Sequence, residues 1–129
     1  MIYLDTSAAM KALVLEEGSE PVRRLFAGSE PLVSSRLLAV ELHAAAHRRG
    51  LSVAGAEELL ERVSLVSLDD GILDDAVALR TGLRSLDALH LATALLLGKA
   101  VTSFLAFDDE LNGAARRNGL TLHPASARS

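Results

Sequence analysis

Ile2-Tyr3-Leu4-Asp5-Thr6-Ser7-Ala8-Ala9-Met10-Lys11-Ala12-Leu13-Val14-Leu15-Glu16-Glu17-Gly18 passes from an apolar run to a helical hydrophobic period. Ile2, Tyr3 and Leu4 form a short apolar, β-prone run that stops at Asp5; over 6–17 Ala9 and Leu13, with Ala8, Ala12 and Leu15, fall on one helical stripe, and Gly18 ends it. A strand that passes directly into a helix is half of a βα unit, and the rest of the chain repeats the alternation. Ser19 is placed to cap a helix over 19–27, followed by a strand over 31–34, an amphipathic helix over 36–49 ended by Gly50, and a helix over 52–63. A strand over 65–68 is closed by Asp69-Asp70-Gly71, helices follow over 72–80 and 85–98, the latter with Ser85 as N-cap, and a strand runs from 100 to Phe104 or Phe107. A helix over 109–118 with Gly119 behind it and a fifth strand over 120–122 complete the series, and the chain from His123 onward reads as a frayed tail. Strands separated by helices must run parallel, so the expected fold is a three-layer α/β/α sandwich around a parallel sheet of about five strands.

The length of 129 residues suits one domain, 1–129, and a 50% hydrophobic composition supplies its core. The absence of cysteine excludes disulfides, thiolate nucleophiles, Cys-based zinc sites and iron–sulfur clusters, so any metal must sit on oxygen or His. The opening residues lack the cationic and apolar segments of a signal peptide, and the longest apolar run, 91–97, falls far short of the ~20 residues that cross a bilayer; a cytoplasmic protein without membrane contact is expected. A net charge of −4 argues against a broad basic nucleic-acid face. It leaves room for a small one, because all the basic residues except Lys11 and Lys99 are arginine, several paired as Arg23-Arg24, Arg48-Arg49 and Arg116-Arg117. Tyr3, Phe26, Phe104 and Phe107 are too few for a base-stacking platform, so nucleic acid would be held through phosphate contacts and shape.

Ligands of open α/β sheets bind beyond the carboxyl ends of the strands, and here those positions are acidic. Asp5 ends the first strand, Asp69 and Asp70 the third, and Asp108 lies past the fourth, while Glu41 and Asp87 sit in helices that leave or flank the same edge. Carboxylates crowded on one edge repel by about 4 kcal/mol for a pair about 4 Å apart at an effective dielectric of about 20, a penalty that a hard cation such as Mg²⁺ or Mn²⁺ removes. Glu41 and Asp87 stand out because each interrupts an otherwise apolar stretch, Leu37 to Leu42 and Leu86 to Leu91; the plain alternative is an ion pair with Arg36 or Arg84. Asp69, Asp70, Asp74 and Asp75 fit a structural role at a helix start. His43 and His47 are four apart but have Ala44 to Ala46 between them, with no metalloprotease glutamate, and His90 is read as a core residue or a carbonyl partner. No dinucleotide, P-loop or serine-hydrolase motif occurs.

Four blocks resemble the PIN-domain ribonucleases, in particular VapC-like toxins of bacterial toxin–antitoxin pairs. They are Ile2-Tyr3-Leu4-Asp5-Thr6-Ser7; Leu38-Ala39-Val40-Glu41; Leu83-Arg84-Ser85-Leu86-Asp87-Ala88-Leu89-His90-Leu91-Ala92-Thr93-Ala94; and Phe107-Asp108-Asp109-Glu110-Leu111 with Ala114-Ala115 and Gly119-Leu120. The resemblance spans nearly the whole chain. It implies an Mg²⁺- or Mn²⁺-dependent endoribonuclease with metal ligands drawn from Asp5, Glu41, Asp87 and Asp108, the last preferred over Asp109 because the family's acid stands three before the leucine, here Leu111. Thr6 or Ser7 would hold a water or a phosphate oxygen. Ala106 departs from the Thr or Ser common two residues before the last acid.

The resemblance further implies an RNA substrate, cleaved by metal-activated water with no protein nucleophile. Together with the apolar stripes over 8–15 and 37–46 it implies a homodimer inhibited by a small antitoxin that lays a segment over the groove. Two rival readings are a phospho-receiver domain and a PIN-like module that binds RNA or protein without cutting. The first lacks its acid pair, since Thr6-Ser7 follows Asp5, and has no lysine after Lys99; the second draws support from Ala106 alone.

Overall fold

Ile2, Tyr3 and Leu4 form β1 (Ile2–Leu4), and all three are fully buried, as a central strand covered on both faces requires. The computed structural model describes residues 1–126, which continue as α1 (Thr6–Leu13), α2 (Ser19–Ala27), β2 (Leu32–Ser35), α3 (Leu37–Arg49), α4 (Val53–Glu61), β3 (Val63–Val66), α5 (Asp70–Ala78), α6 (Ser85–Leu97), β4 (Ser103–Leu105) and α7 (Asp109–Arg117). The strands form one parallel sheet in the order β3-β2-β1-β4, with Ile2 opposite Leu32 and Ser103, and Leu32 opposite Val63. Alternation along β1 divides the interior. Ile2 and Leu4 pack with Ala8, Val22, Leu38, Leu42 and Ala56 of α1 to α4, while Tyr3 packs with Leu91, Ala94, Leu111 and Ala115 of α6 and α7 on the opposite face. The α/β/α layers expected from the alternation are present.

The sheet has four strands rather than five. The stretch expected as a fifth makes only an isolated parallel bridge, Leu122 to Phe104, because it runs beside β4 for a single register position. Phe104 N–H donates to Thr121 O and His123 N–H to Phe104 O, and a 3-10 turn over Pro124–Ser126 follows, so the expected tail begins with His123 bonded to β4. The remainder of the expected tail, 127–129, lies outside the described residues.

Other departures lie at element ends. α1 stops at Leu13 and not at residue 17, since Val14 is extended and Ser19 pulls the connection inward, its Oγ donating to Val14 O and accepting from Glu16 N–H. Ser19 is thus the buried first residue of α2 and its cap position is Gly18, at φ 87°, where a side chain would be strained. Ser85 likewise begins α6, with Arg84 at the cap position. β3 starts at Val63, two residues before the apolar run that suggested it, because Val63 already pairs with Leu32.

β1 is flanked by β2 on one side and β4 on the other, so the chain's winding direction reverses between β1 and β4. In parallel α/β sheets the helices after two such strands diverge and leave a crevice at their carboxyl ends. Asp5 follows β1 directly, and Asp108 lies three residues past β4. β3 and the acids after it stand two strands away from β1. Among the described residues no helix is long and apolar enough to cross a membrane.

Candidate active site

Asp5 is buried, at 3% exposure, and is the N-cap of α1: Oδ1 accepts from Ala8 N–H at 3.1 Å and from Ser7 Oγ–H at 2.6 Å. Ser7 Oγ in turn accepts from Phe107 N–H at 2.8 Å, which ties the segment after β4 to the head of α1. Burial pushes the Asp5 carboxyl up to about 6, with the Asp87 carboxylate adding to the rise, while the bonds from Ser7 and Ala8 and the nearby His90 pull it back.

Glu41 reaches the same edge from the second turn of α3. Its Oε1 accepts from Thr6 Oγ–H at 2.6 Å and meets His90 Nε2 at 2.8 Å. The partners of this carboxylate in an apolar helix are therefore Thr6 and a histidine of α6, and not Arg36. Asp87 sits on α6 one turn before His90. Burial raises its carboxyl above the ordinary range, the carboxylates of Asp108 and Glu41 raise it further, and Arg84 and His90 oppose them. Asp108 is the N-cap of α7, accepting from Leu111 N–H at 2.9 Å through Oδ1. The backbone thus orients Asp108 without the hydroxyl that Ala106 lacks; Ala106 is buried, and its carbonyl accepts from Asn112 Nδ2.

Asp87 is accordingly within electrostatic reach of Asp5, Glu41 and Asp108, which arrive from three other elements, Asp5 and Asp108 fixed by their caps and Glu41 by its hydrogen bonds. Arg84 lies over the mouth, with Nη2 3.4 Å from Asp108 Oδ2 and Nε 3.8 Å from Asp87 Oδ2. The ion pair anticipated for Asp87 thus exists, but Arg84 is 83% exposed and such contacts contribute little. Among the described residues no three His, Asp or Glu side chains are already arranged to enclose one ion. Glu41 Oε1 is engaged by Thr6 and His90, and Asp108 Oδ2 by Arg84.

Thr6 and Ser7, expected to hold water or phosphate, each spend their hydroxyl proton on a carboxylate of the cluster. Asp69 caps α5, accepting from Ile72 N–H, and with Asp70, Asp74 and Asp75 belongs to that helix, as expected. His43 bonds the carbonyl of Ala39 within its own helix. Sequence reasoning placed His90 in the core, which holds at 1% exposure, but missed that its ring joins Tyr3 to Glu41. The available signal was the three-residue spacing of Asp87 and His90, which puts both on one face of α6.

Beside Glu41 a groove of about 470 Å³ lies between α1, α3 and α6, lined by Met10, Leu37, Val40, Ala44 and Leu86 together with Thr6, Glu41, Arg48 and Arg49. Val40 is 67% and Leu86 44% exposed.

The profile of the family described as PIN domain matches residues 2–117. Ribonuclease VapC46 of Mycobacterium tuberculosis is 37% identical over 94% of this chain and 95% of its own length. Among solved structures, Mycobacterium tuberculosis VapC20, described as a sarcin-ricin loop cleaving toxin, superposes with a TM-score of 0.74 over the whole of both chains at 18% identity. A toxin–antitoxin complex from Klebsiella pneumoniae superposes at 0.67 over 84% of this chain and 87% of that one, at 19% identity.

Proposed function

The chain belongs to the PIN-domain family, and on that premise we propose that it is a cytoplasmic endoribonuclease, the toxin of a toxin–antitoxin pair. The observation that carries the reading is the convergence of Asp5, Glu41, Asp87 and Asp108 where the sheet reverses direction, with two of the four carboxyls raised by burial and by their neighbours. A fold gains nothing from such crowding, and a divalent cation relieves it. The donors are hard oxygens, which suit Mg²⁺ or Mn²⁺, and the exposed guanidinium of Arg84 already occupies a place where positive charge is favourable between Asp87 and Asp108. Asp5, Glu41, Asp87 and Asp108 would hold the ion, which when bound supplies Lewis acidity to the scissile phosphodiester and the attacking water.

The chain's own residues do the rest. Ser7 and the Ala8 amide keep Asp5 Oδ1 fixed, and Thr6 and His90 do the same for Glu41 Oε1, so the carboxylates need little reorganisation. Arg84, exposed and held by weak ion pairs, is free to leave the carboxylates for an RNA phosphate, and Arg48 and Arg49 line a path toward Glu41. The apolar groove with exposed Val40 and Leu86 supports an antitoxin segment lying across the site, a basic side chain of which would meet the carboxylates; Leu15, 79% exposed in the connection after α1, supports a homodimer.

The deciding experiment incubates the protein with total cellular RNA in Mg²⁺, Mn²⁺ or EDTA and sequences the new ends. Discrete ends that vanish in EDTA and in Asp5→Asn are expected. Binding without cleavage under every metal condition would instead favour a non-catalytic RNA-binding module. Sedimentation at micromolar concentration tests the homodimer, and co-expression with the neighbouring gene product tests the antitoxin.

A further inference from the structure

We propose that Tyr3 and His90 form a positioning pair that holds the Glu41 carboxylate in register with the other acids. The proposal rests on the reading of that cluster as a metal-dependent nuclease centre. His90 is 1% exposed, with Nε2 2.8 Å from Glu41 Oε1 and Nδ1 2.8 Å from the Tyr3 hydroxyl. An ionised carboxylate only accepts, so the ring's Nε2 carries the hydrogen. The ring cannot rotate away from Glu41 without giving up Tyr3. Tyr3 is itself immobilised: it is fully buried, its ring stacks on Phe104 at 5.5 Å and meets His90 edge-on at 5.9 Å, and its hydroxyl lies among the side chains of Ser34 and Thr93.

The connectivity is what distinguishes this arrangement from ordinary satisfaction of a buried imidazole. Thr93, three residues further along α6, satisfies its hydroxyl on the helix's own Leu89 carbonyl, whereas His90 reaches across to α3 and β1. Tyr3 shares a strand with the approach to Asp5, and His90 shares a helix face with Asp87. One hydrogen-bonded line therefore fixes the α3 acid relative to the two elements that present Asp5 and Asp87. Both Thr6 and His90 bond Oε1, which leaves Glu41 Oε2 for an ion.

The test measures Mn²⁺ binding by electron paramagnetic resonance, and unfolding by circular dichroism, for wild type, Asp5→Asn, Tyr3→Phe, His90→Leu and His90→Gln, with RNA cleavage at saturating Mn²⁺ as a second readout. Tyr3→Phe keeps the ring stack and is expected to stay folded while weakening Mn²⁺ binding by about 10–100-fold, the range typical for partners of metal ligands. His90→Leu should weaken it as much, and His90→Gln, whose amide N–H replaces the ring donor, should restore most of it. If His90→Leu does not fold, Tyr3→Phe decides. Wild-type Mn²⁺ affinity in folded Tyr3→Phe overturns the positioning role and leaves the nuclease reading standing, as does His90→Gln binding no better than folded His90→Leu. Absence of Mn²⁺ binding by wild type, or equal binding by Asp5→Asn, overturns both.

Discussion

Acidic residues follow β3 as densely as they follow β1 and β4, yet the two groups do different things. Behind β3, Asp69 accepts the Ile72 amide at 2.9 Å and Asp70, Asp74 and Asp75 lie along the exposed side of α5, where solvent screens them and the helix start favours them. Behind β1 and β4, Asp5 and Asp108 also cap helices, but here Glu41 and Asp87 arrive from two further helices and Asp5 is withdrawn from water. A cap alone is a structural device. A cap that is also crowded by another carboxylate carries a cost that folding does not explain, and the difference between the regions is set by the order of strands and not by residue type.

The largest expected effect separates the regions by activity. Asp5→Asn keeps the cap but loses a charged ligand, and RNA cleavage should fall about 100-fold or more, each tenfold being about 1.4 kcal/mol of transition-state stabilisation. Asp74→Asn in the same assay should cleave like wild type; comparable losses in both would erase the distinction drawn here.

Metal should next be visible as stability. At a hundredfold excess of Mn²⁺ over its dissociation constant, wild type should gain about 2.7 kcal/mol, read as a higher melting temperature, and Asp5→Asn should gain almost none. Asp69→Asn should gain as much as wild type, since Asp69 takes no part in the cluster.

Without metal, the crowded region should show its cost through pH. The Asp5 carboxyl stands at about 6 in the fold against an ordinary 3.8, so the folded state binds the proton more tightly than the unfolded state does. Its contribution is then most favourable below pH 3.8 and is lost as pH rises through 6. In EDTA at pH 7 Asp5→Asn should therefore be more stable than wild type, by on the order of 2 kcal/mol, with the gap closing as the pH is lowered toward 4. Thermal unfolding across that range checks the sign.

The smallest effect is the sharpest contrast, because the two regions should respond in opposite directions. Asp87→Asn in EDTA should raise the melting temperature, since it removes repulsion from Asp108 and Glu41 and loses only a weak contact with exposed Arg84. Asp69→Ala should lower the melting temperature, through a loss of about 1 kcal/mol of stability, the usual cost of a lost N-cap. A large destabilisation by Asp87→Asn would mean that its pairing with Arg84 outweighs the crowding.

Much of this molecule was legible from its sequence because the deciding signals are local. The change from a short apolar, β-prone run to a 3.6-residue period at Asp5, and its recurrence down the chain, specify parallel strands with helices between them and put acids at the strand ends. The same local logic explains where the reading slipped. Ser19 looked like a cap, but its hydroxyl serves the Val14–Glu16 connection, and residues 120–122 have the composition of a strand but touch β4 at one register position. Neither fact can be seen in a window of a few residues.

The tertiary structure alone decided which acids meet. Asp69 and Asp108 are both caps just past strands, and composition cannot rank them; the order β3-β2-β1-β4 does, by leaving β3 on the far side of β2 and bringing β4 against β1. The bond from His90 to Glu41 spans 49 positions and that from His90 to Tyr3 spans 87, so a residue read correctly as buried gave no sign of what it was buried against. Periodicity is a property of neighbouring residues and fixes which face turns inward, whereas the pairing of one inward face with another depends on how helices cross the sheet, which only the assembled chain determines.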